Sequence, residues 1–96
     1  MLQSLSLEGK SVVITGGGTG LGRAMVRDMA RAGANLVIAG RRTGPIEEAA
    51  IEAISLGVDA IFVATDVTDS SQVANLMKTC LDRFGKIDVL LNNAGA

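Results

Sequence analysis

Four short runs of apolar, mostly β-branched residues alternate along this chain with three longer segments whose apolar positions recur at helical spacing. Ser11-Val12-Val13-Ile14-Thr15 is continuous, as expected of a strand covered on both faces. Gly20 to Ala32 carries Leu21, Ala24, Met25, Met29 and Ala32 as a helical stripe. Leu36 to Ala39 predicts a second strand. Pro45 suits a first helical position, with Glu47 and Glu48 near the positive helix end and Ile46, Ala50, Ala53 and Ile54 facing inward. Ile61 to Ala64 predicts a third strand. Asp69 with Gln72 three residues on resembles a capping box, opening a helix that buries Val73, Leu76, Met77, Cys80 and Phe84. Ile87 to Leu91 predicts the fourth strand.

Gly33, Gly57 and Gly85 fall just past the three helical segments, where a left-handed residue ends a helix at least cost without a Cβ. The order β-α-β-α-β-α-β predicts an α/β fold with a parallel, doubly wound sheet joined by right-handed crossovers. The expected strand order is 3-2-1-4, with the first two helices on one face and the third on the other. Strand four is then an apolar edge without a further neighbour, a strand-exchange hazard in isolation. That edge suggests the N-terminal part of a longer protein.

Composition narrows the chemistry more than the fold. The 96 residues allow one domain; 48% are apolar and 20% charged, as in globular chains. A net charge of −1 with interspersed signs leaves no footprint for nucleic acid. There is no run long enough to span a bilayer and no secretory signal at residues 1–10, so the expected location is cytoplasmic. The chain has no His and no Tyr, which removes the commonest neutral-pH proton shuttle and any phenolic acid. With one cysteine, Cys80, and no His, no metal site is expected. Met25, Met29, Met77 and Cys80 read as core, and Lys10, Lys78 and Lys86 as solvated.

Glycine is the outlier. Gly16, Gly17, Gly18, Gly20 and Gly22 fall within seven residues, between the first strand and the first helix. Unpaired N–H groups and the positive dipole end of a helix suit a pyrophosphate, and glycines let the turn tighten and the helix pack closely. A merely flexible loop is the competing reading. Gly22 is followed by Arg23-Ala24, which lacks the Lys of a nucleotide-triphosphate loop. The spacing fits T-G-x-x-x-G-x-G, with Gly16, Gly20 and Gly22 in the glycine places.

That pattern resembles the short-chain dehydrogenase/reductase family, a Rossmann-type fold. Asn92-Asn93-Ala94-Gly95 after strand four resembles the family's N-N-A-G motif, Asp66-Val67 its adenine-contacting pair, and Leu7-Glu8-Gly9-Lys10 its lead-in to strand one. Gly-Gly-Gly-Thr-Gly-Leu-Gly resembles the loop of 2,4-dienoyl-CoA reductases; the remainder is similar to bacterial 3-oxoacyl-carrier-protein reductases. The resemblance implies that residues 1–96 form the N-terminal part of a single NAD(P)-binding domain. It implies a cofactor-binding set of Gly16, Gly18, Thr19, Gly20, Leu21, Gly22, Arg41, Arg42, Asp66, Val67, Asn93, Ala94 and Gly95. It also implies reduction of small carbonyls or oxidation of alcohols, an acyl thioester among the substrates, and a homo-oligomer. The family's catalytic Ser and Tyr-x-x-x-Lys lie beyond N-N-A-G, so no catalytic residue is assigned and these 96 residues alone are expected to be inactive.

The ribose-reading acidic residue of dinucleotide folds stands at the end of strand two. Gly40 holds that place here, followed by Arg41 and Arg42. A guanidinium can fork onto a 2′-phosphate that a carboxylate would repel, so NADP is expected over NAD, with Arg41 the stronger candidate. Arg42 has adenine as its other candidate partner. Two solvated arginines, a helix-capping Asp66 and a structural Asn93 are the bland alternatives. A truncated module that binds NADP without turnover is the other functional reading. A methyltransferase-like protein would want an acidic residue near position 40.

Overall fold

The computed structural model describes residues 6–93. Its elements run β1 (Ser11–Thr15), α1 (Gly20–Arg31), β2 (Asn35–Gly40), α2 (Thr43–Ser55), β3 (Ala60–Ala64), α3 (Ser70–Phe84) and β4 (Val89–Asn92). All pairings are parallel, in the order β3-β2-β1-β4. The expected architecture is present.

Alternation along the central strands separates two cores. Val12, Ile14, Leu36 and Ile38 face α1 and α2 and pack with Val26, Ala30, Ile46 and Ala49. Val13, Val37 and Ala39 face the other way, onto Leu76 and Cys80 of α3. β1 is buried throughout, while β3 and β4 alternate with more exposed positions, as edge strands covered incompletely do. Leu90 pairs with Val13 on the α3 face and remains 48% exposed.

Several local expectations need correction. The buried stripe of α1 is Gly22, Val26 and Ala30; Leu21 is exposed. A glycine is invisible to a hydrophobic pattern, yet Gly22 sets the stripe because its missing side chain lets the helix sit close. α2 starts at Thr43, so Pro45 is its third residue, where an amide N–H would still lack an intrahelical partner. Its inward face includes Ala49, and Ile54 points to solvent. β4 starts at Val89 because Asp88 ends the approach, accepting a 2.9 Å hydrogen bond from the Ser11 amide through Oδ2.

The box at α3 is half formed. Asp69 Oδ1 accepts from the amides of Ser71 (3.0 Å) and Gln72 (3.4 Å). The Gln72 carbonyl oxygen turns instead to the Asp66 amide, 2.8 Å away. Gly33, Gly57 and Gly85 all have positive φ at the helix ends, as expected.

Candidate functional site

The C-terminal ends of β1, β2 and β3 open into one cleft of about 430 Å³. Ligands of open α/β sheets bind at this end of the strands. From the sequence-predicted set, the cleft brings together Gly16, Gly18, Thr19, Arg41, Arg42, Asp66 and Val67. Gly20, Leu21, Gly22 and Asn93 do not line it, and Ala94 and Gly95 lie outside the described residues. Gly40, Pro45, Ile46, Thr65 and Thr68 line it without having been predicted.

The glycines of the β1–α1 turn divide by task. Gly16 and Gly20 have φ of +65° and +56°, which other residues rarely adopt. Gly22 has another reason: a Cβ there would run into the carbonyl group of Gly16 and lie 2.9 Å from Asn93 Nδ2. Helix α1 can therefore start directly against the turn. A Cβ on Gly17 would fall 2.7 Å from an Ile38 methyl, and one on Gly18 2.7 Å from the Pro45 Cβ. Gly18 thus lets the first turn of α2 abut the turn before α1.

Both of those helices reach the cleft without a side-chain cap. Thr19 caps α1 and Arg42 caps α2 by position, yet neither side chain makes a cap hydrogen bond, and neither first turn contains an acidic residue. By contrast, α3 is capped by its own Asp69. Uncapped N-termini present donors and a positive field to an anion.

Behind the turn, Thr15 ties β1 to the end of β4. Its hydroxyl donates to Asn92 Oδ1 at 2.8 Å and accepts from the Asn93 amide at 3.0 Å. Asn93 Nδ2 in turn donates to the Gly16 carbonyl at 3.4 Å. Asn93 is thus joined to the glycine turn from below. Thr15 and Asn92 stand in the T-G-x-x-x-G-x-G and N-N-A-G motifs yet outside the expected cofactor-binding set, and their bonds give them a supporting role beneath the turn.

The far wall carries the charge. Gly40 ends β2, and a Cβ on it would lie 2.7 Å from an Ile46 methyl, so a side chain there would have to displace the Ile46 side chain. Arg41 Nη2 lies 3.4 Å from Asp66 Oδ2. Asp66 Oδ1 accepts from the Thr68 hydroxyl (2.7 Å) and amide (2.9 Å). The Thr68 bonds, and then Arg41, hold the Asp66 carboxyl below its ordinary value. Thr65, almost fully buried, continues the β2–β3 pairing through its amide to the Gly40 carbonyl at 2.8 Å.

A parallel sheet with a glycine turn between β1 and α1 and uncapped helix N-termini at the C-terminal ends of the strands has the architecture of a dinucleotide-type α/β protein. The family model for short chain dehydrogenases matches residues 10–96, and the chain belongs to that family. A short chain dehydrogenase/reductase of Aspergillus oryzae is 38% identical over 93 residues, 96% of this chain and 36% of the relative. The crystal structure of a hydroxysteroid dehydrogenase from Escherichia coli superposes with a TM-score of 0.92 at 31% identity, covering 100% of this chain and 41% of that one. A short chain dehydrogenase/reductase from Burkholderia phymatum, solved in complex with NAD, gives a TM-score of 0.84 at 37% identity over 88% of this chain and 30% of that one. The chain thus spans 30–41% of the length of these relatives. Among the described residues, no helix is long and apolar enough to cross a membrane.

Proposed function

We propose that residues 1–96 are the cofactor-binding part of a single α/β domain in an NADP-dependent oxidoreductase acting on small-molecule carbonyls or alcohols. The observation that carries the choice of NADP is the charge at the end of β2. Arg41 and Arg42 line the cleft, and Gly40 packs on Ile46 where a ribose-reading carboxylate would stand. Family membership alone does not select a cofactor, since the Burkholderia phymatum relative holds NAD. The guanidinium groups favour the additional phosphate.

The residues present fit a dinucleotide. The cleft volume falls in the range of small-molecule sites. The uncapped first turn of α1, with Gly16 to Gly22 before and within it, suits the pyrophosphate. Arg41 and Arg42 hold the ribose phosphate, and Asp66 with Val67 contacts the adenine. Asn93 supports the glycine turn through its bond to the Gly16 carbonyl, and Ala94 and Gly95 are assigned to the cofactor on the family resemblance alone. When bound, the reduced cofactor, NADPH, would supply the hydride to a carbonyl, and the oxidised form, NADP+, would accept it from an alcohol. The chain contains no Tyr and no counterpart of the family's Tyr-x-x-x-Lys, so these residues bind and orient the cofactor while proton transfer requires groups beyond them.

Calorimetric titration of the chain with NADP and NAD tests the proposal. Tighter binding of NADP is expected; equal affinities would overturn the cofactor assignment. The 96-residue chain is also expected to give no turnover with alcohols or ketones, and hydride transfer above background would contradict that assignment of the proton-handling groups.

A further inference from the structure

The guanidinium group best placed for a ribose phosphate already has an acidic neighbour on the same wall. Arg41 Nη2 stands 3.4 Å from Asp66 Oδ2, and both residues border the main cleft and a smaller recess of about 280 Å³ formed with Ala64, Thr65 and Gln72. The two partners are held very differently. Thr68 donates two hydrogen bonds, of 2.7 and 2.9 Å, to Asp66 Oδ1, while the Asp66 amide donates to Gln72 Oε1 at 2.8 Å. Gln72 itself donates to Asp69 Oδ2 at 3.1 Å. Thr68 therefore fixes the carboxylate through Oδ1 and Gln72 anchors the Asp66 backbone, with Oδ2 left toward Arg41. The Arg41 side chain is 73% exposed, and its single long contact with Asp66 restrains it little.

We propose that Asp66 is a positioning residue for cofactor choice, a weak competitor on the β3 side of the cleft that draws the Arg41 guanidinium away from a ribose phosphate dianion. The inference rests on the reading of Arg41 as the phosphate-binding residue. A carboxylate anchored by Thr68 and an exposed arginine with one long contact make the competition one-sided: Asp66 stays, and Arg41 is divided between two anions. Discrimination in favour of the phosphorylated ribose is thereby held below what Arg41 alone would give, leaving the cleft open to both dinucleotides. Asp66 also faces the adenine in the proposed function, so its effect on phosphate recognition has to be separated from its effect on the base.

Two nucleotide fragments make that separation. Adenosine 2′,5′-bisphosphate carries the ribose phosphate, adenosine 5′-monophosphate lacks it, and both share the base. Their affinities are measured for the intact chain and for Asp66→Asn, Arg41→Ala and the double variant, with circular dichroism verifying the fold of each. Asp66→Asn keeps the size of the side chain and an oxygen for Thr68 while removing the charge. The ratio of bisphosphate to monophosphate affinity is expected to rise about threefold in Asp66→Asn, the scale of an exposed ion pair. It is expected to stay unchanged when the same substitution is made on Arg41→Ala.

An unchanged or lowered ratio in Asp66→Asn would overturn the proposal. So would an equal rise in both backgrounds, which would mean that Asp66 repels the phosphate without acting through Arg41. Arg41→Ala tests the underlying reading separately. Collapse of the ratio supports phosphate recognition by Arg41, and no change there would defeat that reading along with the inference built on it.

Discussion

Gly22 sits so close to Gly16 that a β-carbon on Gly22 would enter the Gly16 carbonyl group. The contact joins the first turn of α1 to the end of β1 and fixes the height at which the helix N-terminus meets the cleft. Gly22→Ala must move backbone on one side or the other. A loss of about 1–3 kcal/mol in stability is expected, the usual cost of overpacking. Gly44→Ala is the contrasting case. Gly44 lies in α2 with open space where a Cβ would stand and no positive φ. It precedes Pro45, however, whose ring disfavours a helical residue carrying a Cβ, so the usual gain of about 0.4–1 kcal/mol is offset and alanine is expected to be near neutral. Urea denaturation of both variants checks the pair, and a neutral Gly22→Ala would show the turn to be looser than described.

Thr15 is the second fixed point beneath the turn. Thr15→Val keeps the shape and strand preference but removes a hydroxyl that donates to Asn92 and accepts from Asn93. Thr15 is buried, but Asn92 is exposed and Asn93 half-buried, so water can take over part of what its partners lose. A cost of about 0.5–1.5 kcal/mol is expected, the net contribution of an ordinary hydrogen bond. Dinucleotide affinity is also expected to fall, because Asn93 and Gly16 lose their alignment. A stable Thr15→Val variant with unchanged affinity would remove Thr15 from the site.

The α1–α2 seam predicts a pH response. Glu52 receives Arg27 Nε at 2.7 Å and Arg23 Nε at 2.8 Å, and the two arginines lower its carboxyl below the ordinary 4.5. A carboxyl with a depressed folded-state value stabilises fully above its unfolded value, and that contribution is lost as pH falls through the folded one. Stability should therefore decline below about pH 4.5, joined by Asp69 and Asp88, which are held below 3.8 by bonds to Ser71 and to the Ser11 amide respectively. Glu52→Gln is expected to be less stable at neutral pH and to show a shallower acid decline. Denaturation midpoints from pH 3 to pH 7 test this directly; parallel curves for the two proteins would contradict it.

Much of the fold was legible because it rests on regular patterns. Val12, Val13 and Ile14 mark a strand buried on both faces, and Gly33, Gly57 and Gly85 punctuate the helices. The α1 stripe was misread because Leu21 looks like core by chemistry, whereas close packing selects Gly22. Ile54 misled for the same reason, being apolar but turned away from the sheet. At the candidate site, local motifs identified the turn and the arginines. Contacts between distant segments escaped: Gly18 against Pro45, Gly40 against Ile46, and Arg41 beside Asp66 each join elements whose spacing the sequence does not encode.

The central claim is that Arg41 reads the ribose phosphate, and titration of Arg41→Ala with NADP and NAD tests it most directly. NADP affinity is expected to fall about tenfold or more, the effect of losing charge-assisted hydrogen bonds of roughly 1.5–3 kcal/mol, while NAD affinity changes little. Equal losses for the two dinucleotides would show that Arg41 does not touch the phosphate.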